Sequence, residues 1–275
     1  MPSTPANLLD DASAVEAPSA PPRPAAESVL GTPLALTDYE RTLDWIDDAV
    51  ASRHRGYICV AATHTVMAAR EDPALRAAVL GADYTVPDGQ PLVWALRALG
   101  KRLPDRVYGP ELMDRAFARG ARTGTRFYLY GGRTQGVLAD LARAMRMRHP
   151  GVKIVGGYAP PFRPLSEAER AAVAADINRS GADVVWVGLG VPRQEKWMAE
   201  MRERLEAPVL IGVGAAFDFH AGLVPQAPRW LQRCGMEWAF RLLQEPRRLW
   251  RRYLRYNPRF VIGFARQLAR AAVRR

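Results

Sequence analysis

Short, fully apolar runs alternate along this chain with longer segments whose apolar residues recur at helical spacing. Residues 37–52 (TDYERTLDWIDDAVAS) predict a helix behind a Thr37 N-cap, and residues 56–62 (GYICVAA) predict a short buried strand. A helix over 63–80 leads to a second strand at 83–86 (DYTV), which stops at Pro87-Asp88-Gly89. The pattern then repeats: helix 110–121, strand 126–130 (RFYLY) into Gly131-Gly132, helix 135–148 and strand 152–156. Helix 166–180, strand 183–188 (DVVWVG), helix 193–205 and strand 208–213 (PVLIGV) complete it. Strands apolar on both faces and separated by helices predict an α/β fold, with a mainly parallel sheet covered by helices on both sides. Ligands of such sheets bind beyond the strand carboxyl ends, which is where Asp88 falls.

From Pro228 the strand signal ends, and Trp230, Trp238, Phe240, Trp250, Tyr253, Tyr256 and Phe260 interleave with arginines in a helical pattern. The first 30 residues are rich in Pro, Ala and Ser and lack the basic and apolar regions of a secretory signal. The chain therefore divides into a disordered leader (1–30), a core (31–228) and a C-terminal basic helical appendage (229–275). No repeat of solenoid length is present. No run of about 18 apolar residues occurs, so the expected membrane contact is peripheral.

Charge sharpens this division. The net charge of +11 resides in the appendage, where thirteen arginines face only Glu237 and Glu245, while residues 1–228 hold 26 basic and 26 acidic residues. Such polarity points to a polyanionic partner: nucleic acid, anionic lipid or diphosphate groups. Arg241, Arg248 and Arg255 recur every seven residues, with Arg251 and Arg252 between them, which on one helix makes a broad basic face beside apolar Trp238, Leu242, Leu249, Trp250 and Tyr253. The two cysteines, Cys59 and Cys234, are expected to be free thiols in a reducing compartment.

Four loops at predicted strand ends carry polar residues that packing alone does not require: Asp88, the stretch from Gly131 to Gln135, the stretch from Gln194 to Lys196, and Asp218. A Pro-Asp-Gly is by itself a turn, and Gly131-Gly132 reads either as a tight turn or as a phosphate cradle of backbone N–H groups. Neither the dinucleotide fingerprint nor the P-loop pattern is present, and His54, His64, His149 and His220 are dispersed. No metal site is therefore expected, and an enzyme acting without metal on a diphosphate would need arginines in its place.

Taken together, VPDGQPLVWALRALG (86–100), RVYGPELM (106–113), FYLYGG (127–132), VWVGLGVPRQEKWM (185–198), GVGAAFDFHAG (212–222) and EWAFRLLQEPRRLWRR (237–252) resemble, in order and spacing, the WecG/TagA/CpsF glycosyltransferases of glycosyltransferase family 26. The resemblance runs from about residue 34 to 256. It implies a Rossmann-like core of the GT-E type and an inverting hexosyltransferase of exopolysaccharide or other surface-glycan synthesis. The donor would be a UDP-sugar (N-acetylmannosamine, glucose or glucuronic acid), the acceptor a polyprenyl-diphosphate-linked saccharide, and no metal or cofactor would be needed. The resemblance makes Asp88 the general base. Arg106 and Gln194 would position the donor sugar or its phosphates, and Asp218 would lie near the nucleoside. Arg241, Arg248 and Arg251 would close over the site and neutralise the departing diphosphate. Where many relatives carry Thr and Asn after the first strand, this chain has Thr63 and His64, which would take their place at the donor; His64 reads equally as a helix-capping residue. Gly131 and Gly132 complete the expected donor site.

The expected place of action is the inner face of the cytoplasmic membrane, with the appendage on an anionic lipid surface. A non-enzymatic nucleic-acid-binding protein using the arginine-rich tail is the competing reading, but it leaves the strand-end loops unexplained. An oxidoreductase on the same core is disfavoured by the missing fingerprint. Relatives can form homo-oligomers, and no interface seam is legible here.

Overall fold

A computed structural model describes residues 20–273, apart from the side chains of Arg229, Arg233 and Arg248. Six parallel strands form the central sheet in the order β4-β3-β8-β7-β5-β6: β3 (Gly56–Ala61), β4 (Tyr84–Pro87), β5 (Arg126–Gly131), β6 (Lys153–Tyr158), β7 (Val184–Gly188) and β8 (Val209–Gly212). The fold is the α/β, Rossmann-like sheet expected from the alternating runs. Period-two alternation sorts its side chains into two cores. Ile58, Val60, Phe127, Leu129, Trp186 and Ile211 face one side, while Tyr57, Cys59, Tyr128, Tyr130, Val187 and Leu210 face the other. Helices α1 (Tyr39–Ala51), α5 (Gly109–Thr123) and α6 (Gln135–Arg148) supply the first core, and α3 (Pro73–Leu80), α7 (Glu167–Ser180) and α8 (Arg193–Met201) supply the second.

Several boundaries differ from the sequence reading for local reasons. The N-cap of α1 is Asp38, whose carboxylate accepts from the Arg41 N–H (3.0 Å), while Thr37 turns inward to bond the Tyr84 hydroxyl at 2.8 Å. The expected helix 63–80 is two helices, α2 (Thr63–Ala69) and α3. Pro73 cannot continue a helical hydrogen-bond ladder, and Asp72 caps a fresh start by accepting from the N–H groups of Ala74 and Leu75. The last turn of the helix expected over 193–205 is a short 3-10 turn, Arg202–Arg204. Two helices had no counterpart in the sequence reading: α4 (Gln90–Ala98) and the five-residue α9 (Ala216–His220).

The leader assignment extends too far. Residues 1–19 lie outside the described residues, but Ala26–Val29 (β1) pairs antiparallel with Thr32–Ala35 (β2). Val29 and Leu34 are buried against Leu92, Val93 and Leu96 of α4 and Phe260 of the tail, and that burial offsets the cost of ordering so short a hairpin. The appendage is helical as expected: α10 (Arg229–Arg233), α11 (Glu237–Gln244) and the 28-residue α12 (Pro246–Val273). It is docked on the core, with Arg255 and Arg259 paired to Glu71 and Gln267 bonded to the backbone of Ser28 and Leu30. Both cysteines are free thiols, Cys59 buried and Cys234 exposed. Among the described residues no helix is long and apolar enough to cross a membrane.

Candidate active site

The carboxyl ends of β3, β4, β5, β7 and β8 open into one cavity of about 990 Å³, roofed by α11 and α12. Crossover connections leave the sheet in opposite directions on either side of β3 and β8, and a crevice at that point is the general binding place of open parallel sheets.

Two glycines make the crevice narrow. Gly131 ends β5 with φ +130°, and a Cβ there would come within 2.6 Å of the Gly188 backbone; a Cβ on Gly188 would meet the Phe217 ring, also at 2.6 Å. Gly132 donates its N–H to the Gly188 carbonyl (3.2 Å), so that amide holds two strand ends together and is not spare for phosphate. Of the two sequence readings of this loop, the structure favours the tight turn. Gly131→Ala should therefore destabilise the protein by about 3 kcal/mol or more, measured by denaturant unfolding, because both the backbone angle and the contact are unfavourable. Stability within about 0.5 kcal/mol of wild type would refute this account of the turn.

Asp88 follows β4 and lies in the cavity wall. Its own N–H donates to the Ala61 carbonyl and its Oδ1 accepts from the Gly109 N–H, both at 2.8 Å, which fixes the carboxylate between two strand-to-helix turns. No hydrogen bond from a described residue engages its second oxygen. Burial pushes the Asp88 carboxyl up to about 6; Arg106 opposes the shift and the Glu237 carboxylate adds to it.

Arg106 is 8% exposed and its partners come mainly from the appendage. It pairs with Glu237 at 2.7 Å, donates to Gln232 Oε1 at 2.9 Å, and lies over the Tyr108 ring at 4.3 Å. Glu237 was missed as a site residue because it counted only as one of two acids in a basic tail. An acid retained among thirteen arginines was the available signal.

Thr63 and His64 open α2 and line the cavity. Burial first, then the charges of Arg252 and Arg241, drives the His64 imidazole down to about 3, so it is neutral at physiological pH and offers one donor and one acceptor. Gln194, 2% exposed, accepts from the Gly190 N–H (3.1 Å) and donates to Glu195 Oε1 (3.0 Å). It thereby holds the turn that contains the cis Val191–Pro192 peptide. Asp218 lines the cavity in a two-bond ion pair with Arg133 (3.1 and 2.9 Å), which belongs to the strand-end stretch from Gly131 to Gln135 but was given no role of its own in the sequence reading.

The cationic wall differs in part from the expectation. Arg241 lines the cavity over the Phe219 ring, and its buried Nε has no hydrogen-bond partner among the described residues. Of the described appendage arginines, Arg241 and Arg252 line the cavity; Arg251 is exposed and lies over Trp250 at 5.3 Å. The helical spacing leaves Arg251 and Arg252 open as partners of Arg241, and the choice of Arg251 came from the resemblance; α11 ends at Gln244 and α12 starts at Pro246. The Arg248 side chain lies outside the described residues. The structure thus brings Thr63, His64, Asp88, Arg106, Gly132, Gln194, Asp218 and Arg241 around one cavity, and leaves Gly131 and Arg251 off its lining. Among the described residues no three His, Cys, Asp or Glu side chains cluster to hold a metal ion.

A neutral imidazole, a carboxylate with one unengaged oxygen, the buried Arg106 and the half-buried Arg241 and Arg252 line one pocket that can accept a proton and stabilise a leaving anion. Compared with known families, residues 27–274 match the model described as the Glycosyl transferase WecG/TagA/CpsF family.

Proposed function

This chain belongs to the WecG/TagA/CpsF family of glycosyl transferases, and from that premise we propose that it transfers a sugar from a UDP-sugar, with inversion, to a polyprenyl-diphosphate-linked saccharide. The family supports a glycosyltransferase of cell-surface glycan synthesis with a sugar donor and an acceptor. The finer reading rests above all on Asp88: one carboxylate oxygen tied to Gly109, the other unengaged, across a cavity whose wall carries Arg241 and Arg252.

In this mechanism the acceptor hydroxyl oxygen attacks the anomeric carbon and gives its proton to Asp88. The bond from that carbon to the phosphate oxygen breaks, and UDP leaves with the electron pair. Attack opposite the leaving group inverts the anomeric centre. Arg241 and Arg252 meet the charge that develops on the departing diphosphate, an interaction worth about 3 kcal/mol per well-placed donor in a closed site. Arg106, engaged by Glu237 and Gln232, positions the catalytic loop and the appendage against each other. The acceptor's location implies action at the inner face of the cytoplasmic membrane, with the basic appendage toward anionic lipid.

A base with a carboxyl near 6 is about nine-tenths ionised at pH 7, so kcat/KM should fall as pH drops through about 6, with a limiting slope of one proton. A profile flat from pH 7 to 5 would remove Asp88 from the base role. The test of the whole reading is UDP release from a panel of UDP-sugars, with chelator present, with and without a polyprenyl-diphosphate-linked saccharide. Release from one donor that depends on the acceptor is the expected result; no release under any pairing would overturn it.

A further inference from the structure

A second cavity of about 910 Å³ lies outside the active site, between the β1–β2 turn, helices α2 and α3, and the last turns of α12. Arg70, Arg76, Arg266 and Arg270 line it. Among the described residues none of the four side chains has a salt bridge or a hydrogen bond, unlike Arg255 and Arg259 about two to four turns earlier on α12, which Glu71 neutralises. The groove's one acid, Glu27, is itself engaged by Lys101 at 2.8 Å, and that bond holds its carboxyl below the ordinary value. Four positive charges therefore converge on one open groove with no counter-charge from the described protein, an arrangement that costs repulsion unless an anion fills it.

The groove is framed by fixed structure. Gly263 lets α12 approach closely: a Cβ there would come within 3.3 Å of Arg70 Nη1 and 3.4 Å of Leu30 Cδ1. Gln267 locks the same stretch to the hairpin through the Ser28 carbonyl and the Leu30 N–H. On α12, Ile262, Arg266, Arg270 and Val273 follow one another at helical spacing on one face, and Ile262 and Val273 are 52% and 88% exposed. On α3, Arg76 is one turn from Leu80, itself 46% exposed. Arginines bracketed by exposed apolar side chains match a phosphate layer with hydrocarbon beneath it.

We propose that this groove is a phosphate-binding site that seats the headgroup of an anionic phospholipid. It lets core helices α2 and α3, and not the tail alone, hold the protein against the membrane. The proposal extends the membrane-facing part of the functional reading but does not depend on the transfer chemistry, because none of the four arginines lines the active-site cavity.

The test uses the full chain and the R70Q/R76Q variant, both located on the core, so that α12 stays intact. Sedimentation with phosphatidylcholine vesicles containing phosphatidylglycerol should weaken by about 30-fold in the variant, roughly fivefold per charge removed. Pure phosphatidylcholine should bind neither protein. A thermal shift with glycerol phosphate separates the sources of phosphate. If the variant loses that shift while its vesicle binding is unchanged, the groove takes a soluble phosphate and the lipid assignment is overturned. If neither readout changes, the site itself is overturned. UDP release with a water-soluble acceptor analogue should be the same in both proteins; a loss confined to this assay would indicate damage to the active site and count against a separate groove.

Discussion

Replacing Asp88 by Asn is expected to lower kcat by about three orders of magnitude and, at the same time, to raise the melting temperature. The first effect follows because an amide cannot accept the acceptor's proton, and a positioned general base typically contributes about 100- to 10,000-fold. The second follows from burial. The carboxyl is raised from an ordinary 3.8 to about 6 in the folded protein. A raised folded value means the folded state holds this proton more tightly than the unfolded state does. Stability from the group is present below about pH 4 and is lost as pH rises through about 6, so at pH 7 the ionised carboxylate is a net cost. Asn keeps the acceptor for the Gly109 N–H and removes the charge. For a side chain that partly faces the cavity we expect a gain of about 1–2 kcal/mol, a few degrees in Tm. Turnover assays and calorimetry at pH 5 and pH 7.5 check both halves: the stabilisation should be smaller at pH 5. Wild-type turnover would end the base assignment, and a lowered Tm at pH 7.5 would mean that Arg106 and Arg241 fully compensate the charge.

The second large effect is expected at Arg106. Its side chain and that of Glu237 are only 9% and 12% exposed, and each is the other's charge partner at 2.7 Å. Removing one member of such a pair leaves an uncompensated buried charge, which typically costs about 3–5 kcal/mol. Arg106→Ala should therefore destabilise the protein by that order and loosen the Gln232 contact that holds the start of the appendage. Removing Glu237 as well should return much of the loss, so that the R106A/E237Q pair is more stable than R106A alone. The single variant should also move the acid limb of the pH–rate profile upward, because Asp88 loses an attractive cation and keeps a repulsive carboxylate. Urea unfolding of the three proteins decides the matter. If R106A and the double variant are equally unstable, the ion pair is not what ties the tail to the catalytic loop.

Much of this site was legible beforehand because its residues punctuate strands. Asp88, Gly132, Gln194 and Asp218 each follow a run too apolar to be anything but buried, so a polar group at its end must face the crevice or a turn. The tail was harder to read. Its composition announced a cationic partner, but which arginines face the cavity depends on the phase of two helices. Spacing left Arg251 and Arg252 open, and the structure puts Arg252, eleven residues or about three turns after Arg241, on the cavity. Helix α4 escaped notice because Leu92, Val93, Ala95 and Leu96 are buried in close succession while Trp94 between them is 47% exposed, leaving no clean period. The β1–β2 hairpin escaped for the opposite reason: two four-residue strands in a segment rich in Pro and Ala carry little pattern and are ordered by partners distant in sequence.

By itself the amino-acid sequence determined the layer architecture, the parallel sheet, the position of Asp88 at a strand end and the polarised charge of the appendage. These are consequences of local periodicity and counting, which survive without knowledge of neighbours. Only the tertiary structure decided that Glu237 reaches back to Arg106, that Gly132 spends its amide on Gly188, and that burial lifts the Asp88 carboxyl and lowers the His64 imidazole. It alone gathered Arg70 and Arg76 with Arg266 and Arg270, nearly two hundred residues apart, around one groove. Each of these depends on which segments meet in space and how much water remains between them, and neither is written in the spacing of residues along a chain.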